Sequence, residues 1–101
     1  MGFERVGKAA EIAPGTIQEV HVGGKAIAVA NVGGQFYAID NTCLHRGGPL
    51  GGGVMDGKVV TCPWHGWQYD VTTGKVSQNA TVGVGCYRAE VRGDEIYVDA
   101  G

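Results

Sequence analysis

The chain has 101 residues, 44% of them apolar and 18% charged, with a formal net charge of −2 at pH 7. That length suits one domain with a single modest core, and that balance excludes a disordered chain. No basic or acidic run points to nucleic acid or an anionic membrane, no apolar run reaches transmembrane length, and the 19 scattered glycines lack a collagen period.

The opening MGFERVGK carries charges and no apolar stretch, so no secretory signal is expected, and Val6 breaks the myristoylation pattern that Gly2 begins. A cytoplasmic protein with neither nucleic acid nor membrane as partner is therefore expected. Pro14-Gly15 marks a turn, 16–22 reads as a strand, and Gly23-Gly24 as a two-residue hairpin turn. The return strand is 25–32, Gly33-Gly34 is a second turn, and 35–40 a third strand. Paired glycines supply the positive φ angles that such turns need. The first forty residues thus read as an antiparallel meander. His21 lies between Val20 and Val22, so it faces solvent if the valines face inward.

From Asn41 to Gly74 glycine, proline, cysteine, histidine and tryptophan concentrate in two loops, with short strands at 58–61 and 68–71. The strands 86–92 and 95–98, joined by Gly93-Asp94, read as a closing hairpin. The expectation is one all-β domain over 1–101, with 41–74 inserted into the scaffold as a subdomain.

Chemistry concentrates in that insertion. Cys43 and His45 form a C-x-H pair; sixteen residues later Cys62 and His65 form C-x-x-H, walled by Trp64 and Trp67. Each loop offers one thiol and one imidazole. Three readings share this pattern: buried core cysteines with surface histidines, a structural zinc site, or an iron–sulfur centre of mixed ligation. Zinc fingers place like ligands together and carry the histidines on a helix, whereas Gly66 directly after His65 disfavours one. The third cysteine, Cys86, reads as a buried core thiol, and an odd count argues against a disulfide framework.

"CLHRGGPL" followed by "CPWHGWQYD" resembles the cluster-binding signature of the Rieske family, densely over 41–74. The resemblance implies an antiparallel β-sandwich or barrel-like scaffold and one [2Fe–2S] cluster. Cys43 and Cys62 would hold the inner iron, and His45 and His65 the outer one. It also implies a free-standing ferredoxin of the kind used by aromatic-ring dioxygenase systems. Such a carrier passes single electrons from a flavin-dependent ferredoxin reductase to a terminal oxygenase, docking transiently near His45 and His65. Once those histidines are assigned, only His21 remains, too few for the mononuclear iron of an oxygenase. No glycine pair opens a helix to form a nucleotide-phosphate loop. An electron carrier, not an enzyme, is expected. The alternatives are a small subunit of a multi-component reductase, such as nitrite reductase, and a structural zinc module.

Departures from high-potential members of the family matter. Gly48 and Trp64 stand where those carry a disulfide, and Trp67 where they carry a serine that bonds a sulfide. A potential low in the Rieske range of about −150 to +300 mV follows. Tyr69 matches a tyrosine that bonds a ligand cysteine in those members, which raises the potential. Trp64 and Trp67 are expected to shield the cluster. Residues 77–85 lack the proline of the family's covering loop, which puts that covering role in question.

Overall fold

The computed structural model of the protein describes residues 2–44, 47–64 and 66–99. In chain order its strands are β1 (Glu4–Lys8), β2 (Ile17–Val22), β3 (Lys25–Val32), β4 (Gln35–Asp40), β5 (Val54–Asp56), β6 (Val59–Thr61), β7 (Gln68–Asp70), β8 (Lys75–Val76), β9 (Asn79–Gly83), β10 (Cys86–Arg92) and β11 (Glu95–Asp99). Two single 3-10 turns, Ala9–Glu11 and Leu50–Gly52, complete the regular structure, and no α-helix occurs among the described residues.

The meander forms as expected. β2 pairs β3 and β3 pairs β4, both antiparallel, through turns whose paired glycines take positive φ. β1 was not foreseen. It crosses to the far end of the chain and pairs with β11, which pairs β10 in the closing hairpin. Its register slips between Arg5 and Gly7, which breaks the alternation that would have marked it as a strand. The resulting six-stranded sheet runs β1-β11-β10-β4-β3-β2, and its edge strands β1 and β2 approach each other, so it is nearly closed. A second antiparallel sheet, in the order β5-β6-β7-β8-β9, covers the span Val54 to Gly83. β5 and β8 are two or three residues long, too short to leave a periodic signal.

β3 explains how the two sheets share one core. Its alternate residues Ile27 and Val29 point into the six-stranded sheet, where they meet Val20, Val22, Ala38, Ile96 and Val98. Ala28 and Ala30 point the other way, into a cluster with Ile39, Leu50, Val60, Tyr69, Val71 and both Cys43 and Cys62. A strand buried on both faces reads as a continuous apolar run, which β3 is. Small alanines on the outer face let the second sheet approach closely. Val20 and Val22 are buried and His21 is exposed beside Glu19 at 3.0 Å, as the alternation implied.

Cys86 corrects the sequence reading: it is exposed, not buried. It begins β10 opposite Ile39, where pairing with β4 extends over only two residues and the sheet edge opens. Its thiol reaches no further than the Thr72 carbonyl, at 3.8 Å.

At the same edge a polar clamp fixes the point where the chain leaves the scaffold. The Tyr87 hydroxyl donates to Asp40 Oδ1 at 2.5 Å, Gly85 N–H donates to Oδ2 at 2.8 Å, and Asp40 N–H donates to the Gly85 carbonyl at 2.9 Å. The carboxylate that accepts its proton, together with burial, pushes the Tyr87 hydroxyl up to about 12. A raised folded-state value stabilises the fold fully below the ordinary tyrosine pKa of 10.0, and that contribution fades as pH rises through about 12. Tyr87→Phe is expected to flatten the loss of stability across this window, read as urea midpoints at stepped alkaline pH. Equal slopes for both proteins would remove the clamp.

Candidate metal centre

Two loops leave the scaffold side by side, and the same backbone device closes both. Cys43 N–H donates to the Gly48 carbonyl at 2.8 Å, and Cys62 N–H donates to the Trp67 carbonyl at 2.7 Å. In each the cysteine bonds the residue five positions on. The neck of the first loop is pinned by a bridge between Thr42 and Pro49. The second is held between β6 and β7, which pair from Val59–Asp70 to Thr61–Gln68.

This arrangement turns both thiols inward. Cys43 is 1% exposed and Cys62 2%, both unbridged. They belong to the same buried apolar cluster. Trp64 N–H donates to Cys62 Sγ at 3.4 Å. Tyr69 Oη lies 3.2 Å from Cys43 Sγ and 2.9 Å from Leu44 N. A backbone N–H can only donate, so the tyrosine oxygen accepts from Leu44, and its own proton is free to donate to the Cys43 sulfur when that sulfur is a thiolate. Burial above all, then the contact with Cys43, raises the Tyr69 hydroxyl well beyond its ordinary range, so it stays protonated as a donor. The contact anticipated between Tyr69 and Cys43 is present.

The electrostatics define what such a pair can hold. Burial is the main force raising the Cys62 thiol; the Trp64 N–H opposes it and the neighbouring Cys43 thiol adds to it. The Cys62 thiol therefore resists becoming a thiolate unless positive charge arrives with the ligand. Soft sulfur donors, backbone and hydroxyl protons aimed at those sulfurs, and a dry surround fit an iron–sulfur cluster. Among the described residues no group of three or more His, Cys, Asp or Glu stands together as a metal site. The other two expected ligands, His45 and His65, lie outside the described residues, as does Arg46.

Gly48 makes the loops' approach possible. A Cβ there would lie 2.8 Å from Cys62 Sγ and 3.0 Å from Trp64 Cβ. The tryptophans divide: Trp67 is partly buried against the core that holds both cysteines, whereas Trp64 is 50% exposed. Of the two rings expected to shield the cluster, Trp64 is therefore half open to solvent. One feature escaped the sequence reading. The segment over β9 runs beside the second loop, and Gly66, Trp67, Val76, Gln78, Asn79 and Val82 line a cavity of about 260 Å³. None of these described lining residues carries a charge. Periodicity could not reveal it, because its wall comes from elements far apart in sequence.

A nearly closed antiparallel scaffold carrying two such cysteine loops defines an iron–sulfur electron-transfer domain. Residues 3–88 match the Rieske [2Fe-2S] domain, and the chain belongs to that family, with one Rieske-type [2Fe–2S] cluster as its cofactor. Ferredoxin CarAc of Metapseudomonas resinovorans is 43% identical over 96 residues, covering 93% of this chain and 90% of its own length. The ferredoxin component of biphenyl 2,3-dioxygenase from Rhodococcus jostii (strain RHA1) is 32% identical, covering 98% and 94%. The ferredoxin of carbazole 1,9a-dioxygenase from Nocardioides aromaticivorans IC177 superposes with a TM-score of 0.88 at 31% identity, covering 97% of each chain. A chain in the complex of reduced oxygenase and oxidized ferredoxin of carbazole 1,9a-dioxygenase superposes at 0.85 with 42% identity, covering 95% and 91%. These are components of electron-transfer systems, and the present chain is an electron-transfer protein rather than an enzyme.

Gly48→Ala drives a methyl group against Cys62 Sγ and Trp64. Overpacking of this kind costs about 1–3 kcal/mol. The variant is expected to purify with less iron and sulfide per chain and to melt lower than wild type. Full cluster content with an unchanged melting temperature would contradict the contact.

Proposed function

We propose that Cys43, His45, Cys62 and His65 are the cluster ligands, the cysteines on the inner iron and the histidines on the outer, and that 41–74 acts as the cluster-binding subdomain. The observation that carries this is the pair of buried, unbridged thiols of Cys43 and Cys62, brought together by two loops closed in the same way. The bound cluster would take up and return one electron at a time. The chain's own part is to hold the sulfurs dry, to direct the Tyr69 and Trp64 protons at them, and to keep the loops rigid.

The carrier takes electrons from a flavin-dependent ferredoxin reductase and delivers them to a terminal oxygenase, as a soluble cytoplasmic component. Support for the second half comes from relatives that are ferredoxin components of dioxygenase systems, one in a solved complex with its oxygenase. Docking is transient, near His45 and His65, since carriers need small interfaces that release quickly.

Purification without oxygen, followed by assay of iron, zinc and acid-labile sulfide and by EPR after dithionite reduction, tests the ligand set. Two irons and two sulfides per chain, with the low average g-value of mixed ligation, are expected. Cys43→Ser and Cys62→Ser should each abolish that signal. One zinc without sulfide, reproduced after anaerobic reconstitution, would make this a structural module. Stable co-purification with a large reductase subunit would replace the free carrier by a subunit.

The Tyr69 proton favours the more negative, reduced cluster. Tyr69→Phe should therefore lower the midpoint potential by tens of millivolts, about 59 mV being one decade for a one-electron couple. An unchanged potential in protein-film voltammetry would remove the tuning role.

A further inference from the structure

Beneath the first loop sits a buried polar side chain that the ligand set does not use. Asn41 is 5% exposed and stands where the chain leaves the scaffold for Cys43. Its side chain bonds in two opposite senses. Its carbonyl oxygen accepts from Gly51 N–H at 2.6 Å, and its amide donates to Glu19 Oε1 at 2.9 Å. Its backbone does the same: the N–H donates to the Ala26 carbonyl at 3.2 Å, and the C=O accepts from Leu50 N–H at 2.6 Å. These bonds tie the outgoing limb of the loop to its returning limb at Leu50 and Gly51, and both to the scaffold through Glu19 on β2 and Ala26 on β3.

The returning limb has no slack. A Cβ on Gly51 would lie 2.6 Å from Glu19 N and 2.8 Å from Asn41 Oδ1. Glu19 is held in turn, its other oxygen 3.0 Å from His21 Nε2. A buried amide deprived of its partners is costly, so the loop neck has one preferred geometry while Asn41 is in place. An asparagine amide carries its acceptor and its donor on separate atoms, so it can accept from Gly51 and donate to Glu19 at once. An aspartate would turn the donor into a second acceptor and set a carboxylate against Glu19.

We propose that the Glu19–Asn41 pair positions the first ligand loop, setting the distance between its limbs and hence the aim of the Cys43 sulfur two residues on. The proposal rests on the reading of Cys43 and His45 as cluster ligands. Asn41 touches no expected ligand side chain; it is a positioning residue and acts through the loop.

The pair can be inverted, and this supplies the test. Combining Asn41→Asp with Glu19→Gln restores one donor and one acceptor with their senses exchanged. Wild type, Asn41→Asp, Glu19→Gln, the double variant and Asn41→Ala are purified as holo-proteins. Each is followed by the rate of visible bleaching in air, by the EPR line shape after reduction, and by melting temperature. Asn41→Asp and Asn41→Ala are expected to bleach about tenfold faster, a factor equivalent to about 1.4 kcal/mol, with broadened EPR lines. Glu19→Gln keeps its acceptor for Asn41 and should match wild type, and the double variant should return close to it. If Asn41→Asp fails to fold, a double variant that folds and bleaches at the wild-type rate carries the same result. A double variant no better than Asn41→Asp overturns the pairing. Variants that melt lower yet keep wild-type bleaching and line shape show a purely structural role and overturn the positioning. A wild-type chain that takes up no iron or sulfide overturns the ligand reading itself and this proposal with it; a wild-type Rieske signal beside unaffected variants overturns the positioning alone.

Discussion

The burial of two cysteine side chains at one point between the sheets is the constraint on which the rest of this structure turns. Cys43 and Cys62 belong to the same apolar cluster as Ala28, Ala30, Ile39, Val60 and Tyr69. Burial above all resists a charge on Cys62, and the neighbouring Cys43 adds to that resistance. Among the described residues the sulfurs are met by neutral donors: the Trp64 N–H on one and the Tyr69 hydroxyl on the other. Neutral donors stabilise added negative charge without cancelling it, which suits a site whose charge must change by one and change back.

Much of the surrounding architecture keeps that point dry and fixed. Alanines on the outer face of β3 let the second sheet close on the first. Gly48 lets one loop lie against the sulfur of the other. The Asp40–Tyr87 clamp and the Asn41 bonds hold the two consecutive residues at which the chain enters the first loop. Sites built on rigid elements lose less precision than sites on free loops, and here the loops are made rigid at their necks. A separate demand shapes the outside. Trp64 and Leu44 remain exposed beside the centre, and none of the described residues lining the cavity next to the second loop carries a charge.

Local signals carried the regular part of the fold. Paired glycines between alternating runs marked the β2-β3-β4 meander and Gly93-Asp94 the closing hairpin, because turn chemistry and period-two alternation act over a few residues. β1 was lost because a register slip spoils its alternation, and β5 and β8 because two or three residues hold no period. Cys86 was misplaced for a related reason: alternation assigns a residue to a face of a strand but does not say where that face runs out.

Chemistry was more legible than shape. The alternation of thiol and imidazole at C-x-H and C-x-x-H spacing left a few kinds of centre open, and the resemblance carried by the two signatures singled out the cofactor class, because ligand type and loop length are written along the chain. The same resemblance marked Tyr69, in the second signature, as a partner for a cysteine. The sequence by itself thus determined the cofactor class and the antiparallel scaffold. Only the tertiary structure decided that Cys43 meets Tyr69, that Gly48 rests on Cys62, that Asn41 joins Gly51 to Glu19, and that β9 walls a cavity beside the second loop. Each of these contacts joins residues from separate elements. Which of them meet depends on how the two sheets pack, and no local pattern records that packing.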